Sequence, residues 1–102
     1  MADRKERPWP TTKRAARQSV INIVAERISA GLFNVVALDE PSMAGQYYLA
    51  VNLQPHVDSD RLAGYLRDRL PYPVTVFVRP PGGWGSPLGP RVIIRQRKEP
   101  TP

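Results

Sequence analysis

The sequence predicts an α+β domain, a two-layer sandwich with two helices on one face of a small mixed sheet. Three observations carry that expectation. Two segments repeat apolar residues at a 3.6-residue period, and four segments are short, β-branched or alternating runs bounded by Pro, Gly and Asp. Their order is α-β-β-α-β-β, and 102 residues suffice for one modest core, burying about 60 to 65% of the unfolded surface.

The first helix starts at a Thr11 or Thr12 cap and runs to about Ala30. Ala16, Val20, Ile21, Ile23, Val24 and Ile28 form its apolar stripe, Gln18, Asn22 and Glu26 lie opposite, and Gly31 is a stop. Leu32 to Leu38 reads as a strand apolar on both faces, which predicts a central or covered position. After the Asp39-to-Gly45 turn, Gln46 to Gln54 alternates cleanly. Tyr47, Leu49, Val51 and Leu53 point one way, and Tyr48, Ala50, Asn52 and Gln54 the other. The second helix is capped by Asp58 or Ser59, buries Leu62, Leu66 and Leu70, and ends at Pro71 and Pro73. Val74 to Arg79 places Val74, Val76 and Val78 against Thr75, Phe77 and Arg79. Arg91 to Gln96 is the last short strand. If strands two and three were parallel neighbours, the second helix would be their right-handed crossover.

The domain organisation expected is a disordered basic arm over 1–10, one α+β domain over 11–97 and a disordered tail over 98–102. The arm contains Pro8-Trp9-Pro10 among charges, a composition that favours extended, unpacked backbone.

The net charge of +6 is concentrated at the ends. Residues 1–18 carry six cations against two acids, residues 79–102 five against one, and the middle has four against six. Basic extensions attract polyanions and make such binding salt-dependent. Without Cys there is no disulfide, thiolate nucleophile or Cys-ligated zinc. The start, MADRKER, lacks a signal-type apolar run, and Val20 to Ala25 is too short to span a bilayer, so a cytoplasmic setting is expected.

No phosphate-cradling loop or nucleophile signature is present, and nothing marks the adjacent acids Asp39 and Glu40 beside a proline turn as a general acid and base pair, so no enzyme is expected. His56, Asp58 and Asp60 have the residue types of a metal site, but the two acids are explained by a helix cap and first turn; neither metal nor cofactor is expected. The first helix could lie on an anionic membrane, yet its stripe is needed to cover the sheet, so neither a membrane nor a small-molecule substrate is predicted. Gly82-Gly83-Trp84-Gly85 matches the bare G-x-x-G of KH domains, but there the loop joins two helices and here two strands, so that activity is not carried over.

What remains is the sheet face away from the helices. Alternation assigns it Tyr48, Ala50, Asn52, Thr75, Phe77 and Arg79, and aromatic rings beside guanidinium groups suit stacked bases and phosphates. The expectation is a non-catalytic binding module contacting nucleic acid through basic termini and this face. Lys13, Arg14, Arg17, Tyr48, Phe77, Arg79, Trp84, Arg95, Arg97 and Lys98 are the candidate contacts. The alternative is a protein interaction or assembly subunit, including self-association, with Tyr48 and Phe77 covered by the Trp84 loop or by a second copy.

Overall fold

A computed structural model describes residues 8–41, 45–80 and 89–96. Helix α1 spans Lys13–Ala25, with the Thr12 hydroxyl accepting the Ala15 N–H at 3.1 Å and Ala16, Val20 and Val24 buried. It ends five residues earlier than the apolar stripe suggests. Arg27 and Ile28 each close a last turn onto the Val24 carbonyl, and a 3-10 turn over Ala30–Leu32 redirects the chain into the sheet. Helix α2, Ser59–Arg69, is capped by Asp58, whose carboxylate accepts the Arg61 N–H at 3.1 Å. Asp60 in its first turn and Arg67 and Arg69 in its last complement the helix dipole.

The strands are β1 (Phe33–Asp39), β2 (Tyr47–Leu53), β3 (Val74–Arg79) and β4 (Arg91–Gln96), in the sheet order β1-β2-β4-β3. The two-layer α+β arrangement and the element order are as expected, but the sheet is not mixed. Every neighbouring pair is antiparallel. Strand β4 lies between β2 and β3, so those two run in the same direction without touching, and the α2 crossover is a split one. The same order and directions result when a βαββαβ sandwich has its ends joined by a hairpin and is reopened before its first helix. Strand periodicity carries no information about which strand inserts where, which is why this was not legible beforehand.

Strand β1 is also an edge, not a central strand. Its inner face, Val35, is covered by the helix layer, while Val36 and Leu38 give its outer face apolar character for a different reason, described below.

The core lies between the layers: Val20 and Val24 of α1, Leu62 and Leu66 of α2, and Val35, Leu49, Val51, Val76, Val92 and Ile94 of the sheet. Trp9 belongs to it, contrary to the expectation of an unpacked arm over 1–10. It is 9% exposed, its indole N–H donates to the Pro73 carbonyl at 2.8 Å, and its ring lies 4.8 Å from that of Tyr72 and edge-on to Tyr47 at 5.8 Å. The Tyr47 hydroxyl donates to the Pro10 carbonyl at 2.5 Å, fastening the other side. The flanking prolines pre-set an extended backbone, so docking Trp9 costs little conformational entropy against a large buried ring.

Gly89 fixes where β4 begins. A Cβ there would penetrate the backbone of Leu53 and Gln54, while the Leu53 N–H bonds the adjacent Pro90 carbonyl at 3.1 Å.

Candidate functional site

Strand register, read across the sheet, builds the face that no helix covers. Asn34 pairs with Asn52, Asn52 with Arg91 and Arg91 with Arg79, giving a polar row across all four strands. The next row is Val36, Ala50, Ile93 and Phe77. The third begins with Leu38 paired to Tyr48 and ends with Arg95 paired to Thr75. Ala50 and Ile93 are only 2% and 4% exposed, yet they lie outside the cluster that forms the main core. Leu38 at 41% and Phe77 at 36% are the exposed large hydrophobic residues among the described ones, and both belong to this face. The face is therefore an apolar band bordered on one side by an Asn-Asn-Arg-Arg row and on the other by Tyr48 and Arg95.

The sequence candidates distribute unevenly over this geometry. Tyr48, Phe77, Arg79 and Arg95 share the open face. The Arg95 guanidinium stacks over the Tyr48 ring at 5.1 Å and reaches the Glu40 carboxylate at 3.5 Å, while its Nε is buried without a hydrogen-bond partner. Lys13 is ion-paired to Asp39. Arg17 donates its Nε–H to the Val35 carbonyl at 2.7 Å, leaving its side chain against the β1 edge rather than directed at a partner. Arg14 is exposed on α1, in the helix layer. Trp84, Arg97 and Lys98 lie outside the described residues. Part of the cationic excess expected at the two ends is thus matched by acids of the middle, because folding brings Asp39 to the start of α1 and Glu40 to β4.

Sequence reasoning missed Arg91, Ile93, Asn34, Val36 and Leu38 as members of this face. The sequence reading found β1 apolar on both faces and β4 only a short strand, so neither had its sides assigned. Pairing of β4 with β2 places Arg91 next to Asn52, and its pairing with β3 places it opposite Arg79. Two like charges directly opposite on a sheet repel, and no acid occupies a register position on this face among the described residues. The segment joining them, residues 80–90, contains no Asp or Glu.

The helix layer is organised differently. Glu26 accepts the Tyr65 hydroxyl at 2.5 Å and the Arg69 guanidinium at 2.8 Å, which holds its carboxyl below the usual range, the tyrosine bond first and the arginine second. Arg27 lies over the Tyr65 ring at 4.6 Å. A cleft of about 700 Å³ beside this cluster is lined by both signs of charge, Arg27 and Arg61 with Asp58, Asp60 and Asp68. His56 is exposed nearby, and Asp58 is engaged as the α2 cap. Among the described residues there is no group of three metal-ligating side chains and no helix long and apolar enough to cross a membrane.

No family model, curated protein or solved structure matches this chain.

Proposed function

We propose that this chain is a non-catalytic binding module that holds single-stranded nucleic acid on its open sheet face. The observation that carries the reading is the register of Arg79 with Arg91 one row from Phe77, on a face where, among the described residues, the nearby acid Glu40 is engaged by Arg95. Rows of one face are about 7 Å apart along a strand, so ring and guanidinium groups can engage a base and its backbone together. Arg79, Arg91 and Arg95 on this face, against Glu40, give it a local excess of cations for an anionic ligand.

The band of Leu38, Val36 and Phe77 supports a second reading, a protein partner or a second copy packed on apolar surface in a larger assembly. The two differ in salt dependence. For a fluorescein-labelled mixed-sequence single strand of about a dozen nucleotides, anisotropy titrations should show affinity falling steeply between low and physiological salt, and Phe77→Ala should weaken binding by about tenfold without changing that slope. An absence of binding at low salt would exclude the nucleic-acid reading. If the wild-type chain is then a dimer that Phe77→Glu makes monomeric, the assembly reading takes its place.

A further inference from the structure

We infer that Arg79 and Arg91 together form a specific oxyanion clamp, and that the oxyanion it receives is a backbone phosphate of the bound strand. The ligand identity rests on the nucleic-acid reading; the clamp itself rests on the sheet register. Directly paired residues of an antiparallel sheet hold their Cβ atoms about 5 Å apart, so two arginines in register on β3 and β4 present ten N–H donors to one location. Both are exposed. Asn52 continues the row beside Arg91 and adds an amide, and Asn34 adds another on β1.

The pair is otherwise unfavourable. Like charges opposed across a ladder destabilise the sheet, and these two are the described cations that face each other directly in register, whereas Arg95 on the same face meets Glu40. Arg79 and Arg91 have no acid within ion-pairing distance among the described residues, and the chain between them supplies none. An anion seated between the guanidinium groups offsets that repulsion by charge-assisted, bidentate hydrogen bonds, for which the planar guanidinium is suited and an ammonium is not. Phe77 precedes Arg79 by two residues on the same face, so a base stacked there and a phosphate held by the clamp belong to one short stretch of strand.

The test combines two probes with Arg79→Gln and Arg91→Gln in the full chain. With the labelled single strand, each variant should lose affinity several-fold, and the slope of log affinity against log salt should shrink by about 0.7 per arginine removed. With inorganic tripolyphosphate, the side-chain Nε–H signals of both arginines should shift together in the wild type, and the shift at either should weaken when the other is replaced. Melting at low salt should leave both variants at least as stable as the parent, because a repulsion is removed. A wild type that binds the strand while both variants keep its affinity and slope would overturn the clamp and leave the nucleic-acid reading standing. Shifts with tripolyphosphate but no strand binding would support the oxyanion clamp and overturn the strand as its source. A lower melting temperature in both variants would show the pair to be satisfied within the protein and would overturn the clamp.

Discussion

Single residues carry a pH dependence that follows from where the aromatic side chains sit. Tyr72 is buried against Trp9, and its hydroxyl finds no hydrogen-bond partner of good geometry even though Ser19 faces it. Burial raises the pKa of Tyr72, and burial followed by the neighbouring Tyr72 raises that of Tyr47. A folded pKa above the unfolded one means that the contribution to stability is complete below the unfolded tyrosine value of about 10 and is lost as pH rises through the folded value. Melting temperature should therefore fall on going from about pH 9 to pH 11, and less steeply in Tyr72→Phe. At neutral pH that variant should be within about 1 kcal/mol of wild type, since the hydroxyl it removes is already unsatisfied. An equal alkaline slope in both proteins would show that Tyr72 does not stay protonated in the fold. Glu26 works in the other direction: its lowered pKa gives support that is present above the unfolded carboxylate value and fades as the solution is acidified through the folded one. The indole of Trp9 illustrates what composition hides. Its surroundings read as an arm, and only the three-dimensional neighbourhood of Tyr47, Tyr72 and Pro73 reveals a core residue.

Elements were the most legible scale. The Thr12 and Asp58 caps, the Leu62 and Leu66 stripe and the alternation of β2 and β3 all appear in the fold where their spacing put them. Helix periods and strand alternation are local properties, so one sequence suffices to read them. The end of α1 and the edge position of β1 were not legible, because both depend on contacts between distant segments. The sheet edges also carry a device that no local pattern signals. On β1 the Val35 carbonyl is taken by Arg17 of α1 at 2.7 Å, and on β3 the Val76 carbonyl is taken by Arg67 of α2 at 3.0 Å. Each helix thus spends a guanidinium on an outward carbonyl that another strand could otherwise use. Arg17→Ala should cost about 1 kcal/mol in denaturant melts and raise the oligomeric fraction on sizing columns at high concentration. A variant that stays monomeric with unchanged stability would remove this role for Arg17. One outward carbonyl is thus capped on each edge, and the exposed apolar surface of the outer face is that of Leu38 and Phe77.

At the scale of the whole molecule both layers carry excess cations, and what distinguishes the sheet's outer face is that Arg79 and Arg91 sit there in register beside an apolar band and two rings. The candidate face was half legible. Alternation supplied Tyr48, Asn52, Phe77 and Arg79, whereas Arg91 and the continuous rows required the strand order, a property of the assembled sheet rather than of any segment. The expectation that both termini project cations outward was too simple, since Lys13 and Arg95 meet acids of the chain's own middle. The most direct measurement is an amide chemical-shift map of the ¹⁵N-labelled chain titrated with the mixed-sequence single strand at low salt. The account predicts that perturbations concentrate at Asn52, Phe77, Arg79, Arg91 and Ile93 and leave Arg61, Tyr65 and Asp68 of α2 still. Perturbations centred on α1 and α2, or none at saturating strand, would contradict it.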